Sequence, residues 1–199
     1  MRTANHEERR QQVAAALLRT VAQRGLRQTA LVDVANEAGV SVGLVQRYFR
    51  TKDDLLRFGV GFMYERVEQR LHNVAIVPPL RELLYELLQT FLPTDEDRSD
   101  ELVLWLEFLP AARNDQEMSK MHRDATAGLI DAVVEVLSGA QRAGEVPQSV
   151  DVRAEALSLT ALCDGLSLHL LATESIYDVQ AVQRALSAAI DRLFTDDNA

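Results

Sequence analysis

Residues 29–52 read TALVDVANEAGVSVGLVQRYFRTK, and their hydrophobic spacing predicts two short helices joined by a tight turn. In the first helix Leu31, Val34 and Ala38 recur on one face, as a helix packed on one side requires. Thr29 is the predicted N-cap of this helix, because its hydroxyl can accept a hydrogen bond from the first turn.

The turn and the second helix follow at residues 39–49. Gly39 suits a helix exit that needs a positive φ, Val40 is a predicted buried hinge, and Ser41 is the predicted cap of the second helix. At about 100° per residue, the inward face of that helix is bulky. It carries Val45, Tyr48 and Phe49. The outward face carries small, amide and guanidinium groups, at Val42, Gly43, Gln46 and Arg47.

The outward face has the chemistry of a helix that reads the major groove of DNA. Gly43 permits a close approach, Gln46 can make a bidentate contact with adenine, and Arg47 can bind guanine or a phosphate. Spacing alone also fits any helical hairpin with a polar outer surface. The residue types decide between these two interpretations.

Three motifs in this stretch resemble the N-terminal helix-turn-helix of the TetR family of transcriptional regulators: ANEAGVS at 35–41 with Gly43, the Tyr48-Phe49 pair, and TKDDLL at 51–56. The resemblance runs without a gap from about Val13 to Leu56 and implies docking of the second helix in the major groove. The base preference does not carry over, because this chain departs from the family pattern at Val42, Leu44 and Gln46. The predicted DNA-binding residues are Thr29, Ser41, Val42, Gly43, Leu44, Gln46, Arg47, Tyr48 and Lys52.

Composition places the chain among soluble globular proteins. It has 199 residues, of which 47% are hydrophobic and 26% charged, and no apolar run approaches the length of a membrane span. The N-terminal residues MRTANHEERRQQ lack the apolar core of a signal peptide, and Cys163 is the single cysteine. These features predict a cytoplasmic protein with no membrane partner.

The net charge of −9 is distributed unevenly. Residues 1–52 carry a net charge of +5 and residues 53–199 a net charge of −14. The basic groups therefore accompany the helix-turn-helix, as binding to phosphates requires, and the acidic remainder is expected to stay off DNA.

We predict an all-α fold of about nine helices in two domains. Residues 1–52 form the DNA-binding domain, completed by the start of a linking helix at 52–73, and residues 53–199 form a helical domain for effector binding and dimerisation. Residues 1–6 are predicted to be a disordered arm and 196–199 a frayed tail. The remaining helices are predicted at 7–24, 80–92, 101–112, 116–143, 151–172 and 178–194, with an acidic loop at 93–100 and a break at Val77-Pro78-Pro79.

The linking helix begins with an unusual cation. Thr51 and Asp54 form a predicted capping box, and the carboxylates of Asp53 and Asp54 suit the positive end of the helix dipole. Lys52 does not suit that end, and the family resemblance places a phosphate contact at this lysine. We therefore expect Lys52 to bind the DNA backbone.

A helix-turn-helix regulator needs a dimer surface to place two recognition helices one DNA turn apart on a palindromic site. The last two helices are the best candidates. The first has a stripe of small residues flanked by leucines, among them Leu157 and Leu168, and the second has an apolar seam. The spacing alone fits equally well with burial of both stripes inside one subunit. The resemblance to TetR regulators also implies a homodimer formed by the last two long helices. The predicted interface residues are Ala154, Ser158, Ala161, Gly165, Val182, Leu186 and Ile190.

The second half resembles the C-terminal domain of the BetI-like branch of the family, through LWLEF at 104–108 and CDGLSLHLL at 163–171. Such a helical core can hold a small-molecule effector between apolar and aromatic groups, although each candidate also fits ordinary core packing. Trp105 and Tyr85 could form part of a cage for a quaternary ammonium such as choline. The candidate ligand-binding residues are Phe62, Tyr85, Trp105, Phe108, Met121, His122 and Cys163.

The sequence thus predicts a dimeric, ligand-responsive transcriptional repressor that is released from a palindromic operator by a small-molecule effector. No cofactor is expected, and His122 and His169 lack the neighbouring ligands of a metal site. An enzyme is disfavoured, because the chain has no phosphate-binding glycine loop, nucleophile elbow or paired metal ligands. The alternative is a non-specific or architectural DNA-binding protein, which would need a larger basic surface.

Overall fold

The computed structural model describes residues 2–74, 79–173 and 175–194. Within these ranges the fold is all-α, as predicted, with nine α-helices and no strand. The helices are α1 (Arg2–Arg24), α2 (Leu31–Glu37), α3 (Val42–Tyr48), α4 (Lys52–His72), α5 (Leu80–Gln89), α6 (Glu96–Ala112), α7 (Gln116–Ala143), α8 (Val152–Ala172) and α9 (Val179–Asp191). A 3-10 helix, Leu26–Gln28, lies between α1 and α2.

The chain forms two packing units. The first contains residues 1–66 and 95–122, and the second contains residues 67–94 and 123–199. Packing therefore joins the helix-turn-helix with α6 and the first turns of α7. The functional boundary between residues 52 and 53 stays a prediction, since a unit of packing is not a unit of function.

The core of the first unit is built around the apolar stripe of α1. Val13, Leu17 and Val21 are at most 1% exposed and share one cluster with buried residues of α2, α3, α4 and α6. Leu104 and Phe108 of α6 belong to the same cluster and are fully buried. About fifty residues bury too little surface to be stable alone, and α6 supplies the missing apolar area.

Two predicted segments differ from the structure at their starts. Helix α1 begins at Arg2 rather than near residue 7, because the N-terminal residues include no helix breaker. Helix α6 begins at Glu96 inside the predicted acidic loop, with the Asp95 side chain accepting the backbone N–H of Arg98 at 2.9 Å. Acidic residues stabilise the first turn of a helix, so a polar run that looked like a loop is a helix start. The predicted break at Val77 and Pro78 and the predicted frayed tail lie outside the described residues.

The capping box of α4 is confirmed. The backbone N–H of Asp54 donates to Thr51 Oγ1 at 3.0 Å, and the backbone N–H of Thr51 donates to Asp54 Oδ2 at 3.1 Å. These reciprocal bonds fix the residue at which the linking helix starts.

The second unit has a separate core formed by α5, the rest of α7, α8 and α9. Arg81 on α5 contacts α9 through Asp191, at 2.6 Å, and through the hydroxyl of Ser187. Among the described residues, α8 alone is long and apolar enough to cross a membrane by length and composition, with a mean hydropathy of 1.2. Core helices of soluble proteins meet the same criteria.

We expect Gly59→Ala to destabilise the first unit. A Cβ at Gly59 would lie 2.5 Å from Leu17 Cδ2, and Leu17 is fully buried, so its side chain has little room to move. The cost of overpacking, less the gain in helix propensity, should lower the free energy of unfolding by about 1–2 kcal/mol in urea titrations. Gly61→Ala is the matched control on the same helix, since its Cβ would meet only the mobile end of Met121 at 3.5 Å. Equal stability of the two variants would contradict the expectation.

Candidate nucleic-acid interface

The turn between α2 and α3 has the hydrogen bonds of a Schellman motif. The backbone N–H of Val40 donates to the Ala35 carbonyl at 2.9 Å, and that of Gly39 donates to the Asn36 carbonyl at 3.1 Å. Gly39 has a φ of 63°, the left-handed conformation that glycine adopts without strain. The predicted role of Gly39 as the helix exit is therefore confirmed.

Helix α3 presents the faces that the sequence predicts. Ser41 Oγ accepts the backbone N–H of Leu44 at 3.2 Å, which confirms Ser41 as the cap. Val45 and Phe49 are at most 2% exposed and anchor the helix in the core, while Tyr48 is half-buried. On the opposite side Gly43, Gln46 and Arg47 are exposed, and Val42 and Leu44 are half-buried. The polar groups that could read base edges thus face away from the core.

Thr29 is not the cap of α2, contrary to the prediction. The N-cap is Ala30, whose backbone N–H donates to Asp33 Oδ2 at 2.9 Å. The Thr29 hydroxyl instead donates to the Gly25 carbonyl at 2.9 Å, and the residue is only 5% exposed. A buried hydroxyl with a backbone partner stabilises the chain before α2 and offers little surface to DNA.

Lys52 is exposed and has partners within the chain. Its ammonium donates to the Leu26 carbonyl and, at 3.4 Å, to the Arg27 carbonyl. These carbonyls belong to the 3-10 helix, so the lysine has a stabilising role that the sequence argument did not include. A lysine carries three N–H donors, and the proposed phosphate contact can therefore coexist with these bonds.

A cavity of about 150 Å³ lies beside Lys52. Its lining includes Thr29, Arg50, Thr51 and Lys52. Pockets for drug-sized ligands start at roughly 300 Å³, so this cavity is too small for a typical effector. Its two basic side chains extend the positive surface next to α3.

Three polar contacts connect α1 to α2 and to the turn that follows it. Arg19 Nε lies 2.6 Å from Glu37 Oε1, and Arg24 Nη1 lies 3.0 Å from Asp33 Oδ1. The third contact, from Gln12 Nε2 to the Ala38 carbonyl at 2.7 Å, reaches the turn itself. Sequence patterns do not reveal the role of Gln12, because its partner is a backbone atom 26 residues away.

Five of the predicted ligand-binding residues lie together in the first unit: Phe62, Trp105, Phe108, Met121 and His122. The ring centroids of Trp105 and His122 are 6.0 Å apart, and those of Phe108 and His122 are 6.3 Å apart. The Tyr64 hydroxyl lies 3.1 Å from His122 Nδ1, an interaction that the sequence did not reveal. Burial lowers the pKa of His122, which favours the neutral ring near pH 7.

The other two predicted ligand-binding residues, Tyr85 and Cys163, belong to the second unit. The Arg81 guanidinium carbon lies 5.7 Å from the centroid of the Tyr85 ring. Cys163 is 2% exposed, its thiol lies 3.9 Å from the Leu88 carbonyl, and burial raises its pKa to about 12. Cys163 therefore behaves as a packed core residue, and a shared cage of Tyr85 and Trp105 stays a prediction.

Two arginines of α4 bind acidic residues of α6 and of the α6–α7 turn. Arg57 Nη2 lies 2.5 Å from Asp115 Oδ2, and Arg66 Nε lies 2.9 Å from Oε1 of the buried Glu101. The hydrogen bond from Arg57 and a second one from the Met118 backbone hold the pKa of Asp115 below its usual value. These ion pairs connect α4 to α6, which carries Trp105, and to the residue before α7, which carries His122.

The predicted dimer residues divide between two environments. On α8 Ala154, Ser158 and Ala161 are exposed and Gly165 is half-exposed, so their interface role stays a prediction. On α9 the structure corrects it: Val182, Leu186 and Ile190 are fully buried in the core of their own unit. An apolar helical stripe has the same spacing whether it faces a core or a partner, so the sequence could not separate the two.

The exposed faces of α8 and α9 carry further candidate interface residues. Leu157 and Leu168 are 51% and 45% exposed on the same side of α8 as Ala161. Ala185 and Ala188 are exposed on α9. Two leucines spaced by eleven residues on α8 repeat at helical periodicity, and this signal was available in the sequence.

Comparison with known proteins agrees with this geometry. The family model for the N-terminal domain of bacterial regulatory proteins of the TetR family matches residues 13–57. The model for the C-terminal domain of BetI-type transcriptional repressors matches residues 79–195. The chain belongs to the TetR family.

Curated relatives and solved structures match along most of this TetR-family chain. It is 28% identical over 194 residues to the HTH-type transcriptional regulator PksA of Bacillus subtilis, covering 97% of this chain and 93% of the relative. It is 28% identical to the regulator BetI of Paraburkholderia xenovorans, covering 93% of each chain. A transcriptional regulator from Rhodococcus sp. Rha1 superposes with a TM-score of 0.82 at 27% identity, covering 92% of this chain and 95% of the other.

A regulator from Saccharomonospora viridis, solved in complex with choline, also has a TM-score of 0.82, at 25% identity over 96% of this chain and 99% of the other. Proteins of the TetR family are DNA-binding transcriptional regulators, and repression and dimerisation are typical of them. The chain is therefore a DNA-binding regulator and not an enzyme.

Proposed function

We propose that the protein is a dimeric repressor that binds a palindromic operator through α3 and is released by a small-molecule effector. The observation that carries the proposal is the outward face of α3, where Gly43, Gln46 and Arg47 are exposed opposite the buried Val45 and Phe49. Small, amide and guanidinium groups on a rigidly anchored short helix suit a major groove. The proposed contacts are the outward residues of α3, with Lys52 on a phosphate.

The alternative is binding to any duplex without sequence preference. Selection of bound fragments from the source genome, at near-physiological salt and with competitor DNA, separates the two functions. A specific repressor recovers one or a few palindromic sites, whereas an architectural protein recovers unrelated fragments with similar affinity. Recovery of unrelated fragments would therefore contradict the proposal.

Arg47→Ala should weaken binding to the selected operator. If Arg47 contacts guanine, the loss should be about 1–3 kcal/mol and confined to one base-pair position, because only that position loses its bidentate partner. If Arg47 contacts a phosphate, all duplexes should weaken alike. Fluorescence anisotropy on the operator and on single-base variants distinguishes these results. Arg142→Ala is the control, since it removes the same charge from an exposed position in the second unit. If Arg47→Ala leaves the affinity for the operator unchanged, Arg47 is not part of the interface.

We place the proposed dimer interface on the exposed faces of α8 and α9. On α8 the leucines Leu157 and Leu168 border the small residues Ala154, Ser158, Ala161 and Gly165. On α9 the exposed Ala185 and Ala188 take the place of the buried Val182, Leu186 and Ile190 as proposed interface residues. Small residues let two helices approach closely and the leucines supply apolar area, so two such pairs can form a four-helix interface.

Leu157→Arg should convert the dimer into a monomer that keeps its fold. The side chain is 51% exposed within one chain, so arginine is tolerated there but places an unpaired charge in the interface. Ile190→Val is the complementary control, because Ile190 is fully buried. It should lower the free energy of unfolding by about 0.5–1.5 kcal/mol and leave the dimer intact. Sedimentation equilibrium on both variants checks this, and a Leu157→Arg dimer would place the interface elsewhere.

We propose that the effector binds at the aromatic cluster of the first unit, with Trp105 and His122 as its half-buried contacts. The choline complex of the Saccharomonospora viridis regulator supports an organic cation as the first ligand to test. Aromatic faces attract such cations, and the neutral His122 would not repel one.

Choline should change the fluorescence of the protein, because Trp105 is its single tryptophan. A saturable shift in emission and weaker operator binding are expected in the same concentration range. Trp105→Leu should raise the Kd measured by calorimetry about 2- to 30-fold, as the loss of a cation–π contact of about 0.5–2 kcal/mol requires. Unchanged emission and unchanged operator binding at millimolar choline would exclude choline as the effector.

A further inference from the structure

In the turn between α2 and α3, the Ala38 carbonyl has its hydrogen-bond partner outside the turn. The Schellman bonds occupy the carbonyls of Ala35 and Asn36. The Ala38 carbonyl belongs to the peptide that leads into Gly39, the residue with a positive φ. Its hydrogen bond comes from Gln12 on α1, at 2.7 Å.

Both ends of the Gln12 amide are occupied. Its Nε2 donates to the Ala38 carbonyl, and its Oε1 accepts from Arg9 Nη1 at 3.1 Å. The opposite orientation of the amide would place Gln12 Oε1 against the Ala38 oxygen and the Gln12 NH₂ group against the Arg9 guanidinium. The amide is therefore held in one orientation by two groups of opposite character.

We propose that Gln12 is a positioning residue for the recognition helix α3. Gln12 influences base discrimination by α3 without itself contacting a base. The direction in which the chain leaves α2 depends on the peptide before Gly39, and glycine itself imposes little restriction on its backbone. A bond from α1 to that peptide fixes the direction relative to the core of the unit. This inference rests on the proposed sequence-specific binding of DNA.

The other contacts between α1 and α2 act at different points. Arg19 pairs with Glu37 and Arg24 with Asp33, both within the body of α2. Their partly exposed ion pairs are expected to contribute little to stability. Holding α2 does not by itself hold α3, because the left-handed residue lies between them. Gln12 instead binds the Ala38 carbonyl, which belongs to the peptide bond that joins Ala38 to Gly39.

The test compares binding to the selected operator with binding to a scrambled duplex of the same length. Gln12→Met keeps the length and helix propensity of the side chain but removes both polar groups, and Gln12→Asn keeps the amide but shortens its reach. Gln11→Met is the matched control at the adjacent exposed position. Fluorescence anisotropy gives the two affinities, and urea unfolding shows that each variant is folded.

Both Gln12 variants should lose about two- to tenfold in operator affinity per half-site, which corresponds to one hydrogen bond, while affinity for the scrambled duplex stays the same. The ratio of the two affinities is the decisive quantity, since a purely structural defect lowers both in proportion to the folded fraction. The inference is overturned by an unchanged ratio in the Gln12 variants, or by an equal loss in Gln11→Met. Failure of the proposed function looks different, because the wild-type protein would then prefer no duplex at all.

Discussion

The buried stripe of α1 is the contact on which the DNA-binding unit depends. Val13, Leu17 and Val21 are buried against the helix-turn-helix and share the same core with Leu104 and Phe108 of α6. Each fully buried side chain of this kind contributes about 1.5–3 kcal/mol, which is a large part of the stability of a small unit. The helix-turn-helix is therefore not an independent module. Any movement of α6 therefore changes the packing of the core against which α3 is packed.

This shared core offers a short route for regulation. Trp105 lies on α6 and His122 on α7. Arg66 of α4 is ion-paired to Glu101 of α6, and Arg57 of α4 is ion-paired to Asp115, the residue before α7. A ligand at the aromatic cluster would act within the unit that contains α3. Coupling of about 1–3 kcal/mol, enough to change affinity 5- to 150-fold, needs only a small difference in packing between two states. Close-packed cores transmit such differences because they have few empty spaces.

The sequence predicted the features that are set locally. Ser41 and the box of Thr51 with Asp54 cap their helices as expected, because a cap depends on residues within one turn. The errors have tertiary causes. The Thr29 hydroxyl donates to the Gly25 carbonyl instead of capping α2. The α9 stripe is buried in the core of the second unit and not exposed to a partner; it consists of Val182, Leu186 and Ile190. The contact of Gln12 with Ala38 joins residues far apart in the chain, and no spacing rule reveals it.

The composition of α8 is explained by its two apolar faces. One face, with Leu159, Cys163 and Leu166, is buried in the core of the second unit. The opposite face exposes Leu157 and Leu168, so the helix is apolar nearly all round and matches a membrane span in hydropathy. The exposed Ser158 and Asp164 lie beside Ala161 on α8. Partial desolvation by neighbouring atoms raises the pKa of the Asp164 carboxyl. A protein surface can supply hydrogen-bond partners for such groups and a lipid chain cannot, which favours a second copy of the chain as the partner of this face.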